Sequence, residues 1–299
     1  MREISPVGLL LDVDGPVAST ETRSVPPQIV ASLVRLLAAG VPVCFNTGRS
    51  ADFILHTVLT PLREAGLPSG APAFAVCEKG AVWFPFSAVP AGDLPRVAHD
   101  DGTPPWVRTS PAMAVPERLR DVVGTANAEL AGGLQFEDHT KLAMISLEKE
   151  IEADTAEYER ARDAVAARVE QLLTEAGLAQ EYEVEATVIS VDVQHVDSGK
   201  ALGAAHTLEM MAQARVQLPA RWFTAGDSRS DYAMADWLHA RGARVEHVDV
   251  RPADGVPQTP YPVLTAADLA ERGHGRADDV HEATGASLLA WVERELLGR

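Results

Sequence analysis

The stretch GLLLDVDGPVAS, residues 8–19, decides how this chain is read. The apolar run Val7–Leu11 has the composition of a strand buried on both faces. It ends on Asp12 and Asp14, with an Asp-Gly turn directly after. Side chains two apart on a strand point to the same face. Two carboxylates held that close repel and shift each other's pKa, so stability alone would not select them. A cation that keeps both ionised would make the pair useful.

Working outward, residues 27–39 read as an amphipathic helix closed by Gly40 and residues 41–45 as a second strand. A helix over 50–65, a strand over Ala73–Cys77 and a hairpin partner over 81–84 follow. This β-α-β-α-β order predicts an α/β fold with a Rossmann-like doubly wound parallel sheet. Residues 87–116 are rich in Pro, Gly and Asp and read as loop. A helix over Glu117–Leu130, a strand over 142–147, an acidic helix over 153–176 and a strand-like run over 184–193 predict an inserted α+β domain. Sheet alternation resumes with a helix over 201–214, a strand over 222–225, a helix over 231–241, a strand over 245–250 and a closing helix over 285–297. The expected division is a core over 1–87, an insert over 88–188 and the rest of the core over 189–299.

Ligands of open parallel sheets bind at the carboxyl ends of the strands. The first strand delivers Asp12 and Asp14 to that edge, and the second delivers Asn46, Thr47, Gly48, Arg49 and Ser50. The strand over 222–225 delivers Gly226 through Asp231. Lys200 opens a helix behind Gly199 and a strand over 189–193. Clustered carboxylates suit a hard cation, and Mg2+ combines few protein carboxylates with waters and a substrate phosphate. Asp12, Asp14 and Asp227 could then stay ionised together, with Asp231 facing the ion directly or through water. Thr47 and Gly48 offer a hydroxyl and amides to an anion at a helix start, and Lys200 adds a point charge.

Asp12-Val13-Asp14-Gly15, Thr47-Gly48-Arg49-Ser50, Gly199-Lys200 and Gly226-Asp227-Ser228-Arg229-Ser230-Asp231 resemble, in order, the four motifs of the haloacid dehalogenase superfamily of phosphatases. The insert, with CEKGAVWF and VDVQHVDSGKALGA, looks like the branch with a C2-type cap, which includes sucrose-, trehalose- and mannosyl-phosphoglycerate phosphatases. Any one motif alone would be only a strand end or a helix start. The resemblance implies that Asp12 is a nucleophile carrying a phosphoaspartate and Asp14 a general acid/base. It also implies that Thr47, Gly48, Arg49, Lys200 and Ser230 bind the phosphoryl group or substrate. Mg2+ would be held by Asp12, the Asp14 backbone carbonyl and Asp227, with Asp231 supporting its waters or Lys200. Two departures are Pro16, where the family usually has Thr, and Ser230, where it usually has Asn. A Gly-rich Asn-Ala segment expected after Trp237 is also missing. In the insert Lys141 is a candidate substrate contact, while Glu137 and His139 read as solvated.

Composition narrows the remaining choices. The formal charge of −17 disfavours nucleic acid and anionic membranes as partners. No apolar run near the N-terminus is long enough to cross a bilayer or form a signal-peptide core. Two cysteines in apolar surroundings, Cys44 and Cys77, read as free thiols of a reducing compartment, so the expected location is the cytoplasm. The nine histidines have no zinc-ligand spacing. Only four lysines stand against 22 arginines, which draws attention to Lys79, Lys141, Lys149 and Lys200 as places where a compact charge is wanted. The expected activity is Mg2+-dependent hydrolysis of a small phosphorylated sugar or polyol by a monomer or homodimer. The alternatives are a sugar phosphomutase and a sugar-phosphate sensor or scaffold.

Overall fold

The computed structural model describes residues 7–298, which divide into two compact units. The first comprises the described residues up to Pro95 and from Gly199 onward, and the second is Arg96–Ser198. The chain begins with β1 (Val7–Leu11), α1 (Pro27–Ala38), β2 (Val43–Asn46), α2 (Ala51–Phe53), α3 (Thr60–Glu64), β3 (Ala73–Cys77) and β4 (Val82–Pro85). The second unit contributes β5 (Arg108–Thr109), α4 (Glu117–Leu130), β6 (Gln135–Glu137), β7 (Met144–Lys149), α5 (Thr155–Ala176), β8 (Tyr182–Ala186) and β9 (Ser190–His195). The chain then re-enters the first unit with α6 (Lys200–Gln213), β10 (Arg221–Gly226), α7 (Tyr232–His239), β11 (Arg244–Asp249), β12 (Val263–Leu264), α8 (Ala266–Glu271) and α9 (Glu282–Leu297).

Strands of the first unit lie in the order β12-β11-β10-β1-β2-β3-β4. They are parallel except β4, which returns antiparallel on β3. All five residues of β1 are buried, as expected for a strand with helices on both faces. The order runs from β1 through β2 to β3 on one side and through β10 to β11 on the other. The junction of β1 and β10 is therefore the switch point where such sheets open a crevice. Register sets the strand ends level there, with Leu11 opposite both Ala225 and Phe45, and Gly226 opposite Asp249.

Helix α1 starts with Pro27 in its first turn and buries Ile29, Leu33, Leu36 and Leu37, the stripe its sequence period predicts. The single helix expected over 50–65 is instead interrupted. Ser50 caps α2 by accepting from the Phe53 amide, and residues Ile54–Leu59 form a π-helical stretch before α3. Pro61, which has no amide hydrogen to give the preceding turn, lies just beyond that wider register.

The second unit has an antiparallel sheet ordered β6-β7-β9-β8. Its core joins Leu119 and Val123 of α4 and Val165, Val169 and Leu173 of α5 to Ile145, Leu147, Val191 and Val193 of the sheet. Here the sequence reading needs correction. The run over 184–193 is two antiparallel strands, with Val184 opposite Val193, and Thr187 Oγ1 holds the turn by accepting from the Ser190 amide at 2.9 Å. Because β9 pairs with both β7 and β8, it cannot leave this sheet. The chain therefore crosses back between Ser198 and Gly199 rather than at 188/189, and leaves the first unit at 95/96 rather than 87/88. Lys200 consequently reaches its place as the first residue of α6, with no core strand before it.

Candidate active site

Lys200 is the hub of the edge at the β1–β10 switch point. It is buried, and its ammonium meets Asp12 Oδ1 at 2.8 Å and Asp231 Oδ1 at 2.5 Å while donating to the Asn46 carbonyl at 2.8 Å. Asn46 returns a hydrogen bond from Nδ2 to the Lys200 carbonyl at 2.9 Å. The end of β2 and the start of α6 thus lock together and aim one positive charge between two acids.

Asp12 follows β1, and the sheet ladder continues into it through its own amide, which donates to the Ala225 carbonyl at 2.8 Å. Its Oδ1 accepts from the Val13 amide at 2.7 Å. Burial pushes the Asp12 carboxyl well above its ordinary range. Lys200 opposes that shift, and the negative charges of Asp231 and Asp14 add to it. Asp227 is shifted up as well, by burial and by Asp231, against the pull of Arg251 and His281. Asp231 goes the other way. Burial would raise it, but the charge and hydrogen bonds of Lys200 and the donors of Ser228 prevail.

The reason is visible in the Asp231 contacts. Its Oδ2 accepts from the Asp227 amide at 3.1 Å, the Ser228 amide at 3.0 Å and the Ser228 hydroxyl at 2.8 Å. Gly226 makes this close approach possible, since a Cβ there would stand 2.2 Å from Asp231 Cβ. Carboxylate oxygens of Asp12, Asp227 and Asp231 lie within 4.8 Å of one another. With Asp231 committed to the loop and to Lys200, Asp12 and Asp227 keep oxygens for an ion. Burial first, and then the neighbouring acids, raise both carboxyls, and a cation between them would offset that cost. Hard oxygen donors carrying surplus negative charge fit a divalent cation such as Mg2+.

Asp14 makes a separate set of contacts. Its carboxylate receives a bidentate pair from Arg49, Nε to Oδ2 at 2.9 Å and Nη2 to Oδ1 at 3.0 Å, and stands outside the three-acid cluster. The Arg49 guanidinium also lies 4.9 Å from the Phe53 ring centre. Thr47 is buried, with its amide on the Val76 carbonyl and its hydroxyl accepting from the Arg49 amide at 3.0 Å.

No protein-family model matches the sequence, and no curated protein does. Solved structures do match in fold. A haloacid dehalogenase-like hydrolase from Bacteroides thetaiotaomicron superposes with a TM-score of 0.58 at 11% identity, over 97% of this chain and 99% of that one. The C-terminal domain of trehalose-6-phosphate phosphatase from C. albicans gives 0.57 at 12% identity, over 97% and 92%. Trehalose-6-phosphate phosphatase from Aspergillus fumigatus gives 0.52 at 16% identity, over 98% and 94%. The fold is that of the haloacid dehalogenase-like hydrolases.

On this haloacid dehalogenase fold one expected residue, Ser230, is turned to solvent rather than to the Lys200 hub. Ser230 is exposed, and its hydroxyl pairs with Ser228 at 2.9 Å, so it buttresses the loop after β10. In the second unit Lys141 is buried, and its amide donates to the Asp138 carbonyl. Glu137, read as solvated, pairs with Arg120 at 2.8 Å. Pro16 gains a role instead. Gly285 of α9 packs so tightly on the Pro16 carbonyl that a Cβ there would stand 1.8 Å from the oxygen.

Sequence reasoning missed two basic groups at this edge. Arg251, just after β11, donates from Nε to the Asp227 carbonyl at 3.1 Å, and His281 Nδ1 lies 3.9 Å from Asp227 Oδ2. The segment where a Gly-rich Asn-Ala motif was expected is thus β11 and its exit loop. The only available signal was that a predicted strand there had to end at this same edge.

Proposed function

We propose that this protein is a Mg2+-dependent phosphatase acting on a phosphomonoester of a sugar or sugar-like metabolite through a phosphoaspartate on Asp12. The observation that carries this reading is the buried Asp12 carboxylate at the switch point, held by Lys200 and facing Asp227. An acid whose burial opposes its charge despite a lysine partner is poorly explained by stability and well explained by nucleophilic chemistry. The trehalose-phosphate phosphatases among the similar folds favour a sugar phosphate over other monoesters.

Val13 and Lys200 both occupy Asp12 Oδ1, which leaves Oδ2 to attack phosphorus. As the Oδ2–phosphorus bond forms, the bond from phosphorus to the sugar oxygen breaks, and Asp14 gives that oxygen its proton. Asp14 then takes a proton from water, whose oxygen attacks phosphorus and releases phosphate and the Asp12 carboxylate. Thr47, the Gly48 amide and Lys200 hold the phosphoryl oxygens. Asp12 and Asp227, with the Asp14 backbone carbonyl, would hold Mg2+, which when bound neutralises charge on the transferring group. Arg49 keeps Asp14 oriented and must yield it when the proton moves.

Phosphate release from a panel of sugar phosphates tests the reading. Turnover should require Mg2+ and vanish in Asp12→Asn. Asp14→Asn should give a burst of one equivalent of nitrophenol from p-nitrophenyl phosphate and then stall, because that leaving group needs no proton. Turnover that survives Asp12→Asn or full chelation overturns the mechanism.

A further inference from the structure

We propose that Lys79 is a second cationic phosphate-binding residue of this site, an assignment that rests on the phosphatase reading. Its side chain lies over the turn after β2: a Cβ on Gly48 would be 3.6 Å from Lys79 Cε and 3.8 Å from Lys79 Cγ. The ammonium is one bond beyond Cε, so it belongs to the same turn that carries the amides proposed to hold the phosphoryl oxygens.

The backbone fixes it there from both sides. The Lys79 amide donates to the Thr47 carbonyl at 3.1 Å, and its carbonyl accepts from the Gly199 amide at 2.5 Å, one residue before Lys200. The preceding Glu78 amide donates to the Arg49 carbonyl at 3.0 Å. The turn after β3 thus ties together the two segments proposed to bind phosphate.

This placement has a conformational cost. Glu78 and Lys79 have φ of 51° and 53°, a left-handed region that lysine seldom adopts and asparagine tolerates far better. Residues kept in such conformations by surrounding hydrogen bonds cluster at binding and catalytic sites. A turn needing only the shape would be better served by Asn or Gly. The lysine brings a compact charge that anion binding uses, in a chain that otherwise favours arginine.

The test measures inhibition by orthovanadate and by inorganic phosphate, together with KM and kcat, in the full chain and in Lys79→Gln, Lys79→Asn and Lys79→Arg. Lys79→Gln and Lys79→Asn should weaken both inhibitors and raise KM by about tenfold, with a smaller change in kcat. That gap should narrow at about 0.5 M salt, where a charge effect is screened. Lys79→Arg should recover most of the affinity, and Lys79→Asn should melt no lower than the parent because it relieves the backbone. An active, vanadate-sensitive parent whose Lys79→Gln and Lys79→Asn variants keep its inhibition constants overturns the Lys79 assignment alone. A parent without turnover or vanadate binding overturns this assignment together with the phosphatase reading.

Discussion

Asp12 sits where its own charge is opposed. Burial, Asp231 and Asp14 together outweigh Lys200, so the folded protein holds its proton more tightly than the unfolded chain does. A raised carboxyl means that the ionised form at neutral pH works against folding. Asp12→Asn should therefore raise the thermal midpoint of the metal-free protein by about 2–4 °C while abolishing turnover, as melting in chelator would show. Asp231, the same residue type a few ångströms away, has the opposite sign. Its depressed carboxyl contributes stability above the unfolded pKa, and that contribution is lost as pH falls through the folded value. Lys200 answers to both acids. Lys200→Met should cost about 3–5 kcal/mol in urea unfolding, because it strands buried charges. A loss under 1 kcal/mol would mean that the hub is more hydrated than its burial suggests.

Among the elements, β11 and α9 were legible as a strand and a helix, but their contributions to the site were not. Residues 245–250 read as a strand, yet nothing local says that its His247 is fully buried, with Nδ1 on the Thr224 hydroxyl at 2.8 Å and Nε2 without a partner. Burial lowers this imidazole to about 4, so below its ordinary 6.5 the unfolded chain binds a proton that the folded one refuses. Stability should fall as pH drops from 6.5 toward 4, by about 3 kcal/mol from this group. Urea unfolding of parent and His247→Gln at pH 7 and pH 4.5 checks it: the parent should lose more. Gly285 is the corresponding point in α9. Gly285→Ala should destabilise by about 1–3 kcal/mol and raise KM, since the new methyl must push the Gly15–Pro16 turn beside Asp12 and Asp14.

At the scale of the whole molecule, the three-acid cluster predicts that Mg2+ stabilises the fold by mass action, about 2.7 kcal/mol at a hundred times its dissociation constant. The gain should shrink in Asp227→Asn, read by melting with and without Mg2+. Among the described residues no helix is long and apolar enough to cross a membrane. What the sequence alone determined was the α/β core and the order in which Asp12, Thr47, Lys200 and Asp227 reach one edge, because apolar strands and helix periods are local signals that topology rules convert into a shared edge. Partner choice lay beyond it. That Arg49 takes Asp14, that Asp231 serves Lys200 and that Lys79 overlies Gly48 are outcomes of side-chain reach between residues far apart in sequence. The same holds for the run over 184–193, whose alternation fits one strand or a hairpin equally well. Only its pairing with β7, through hydrogen bonds that must be satisfied once buried, gives β9 to the second unit.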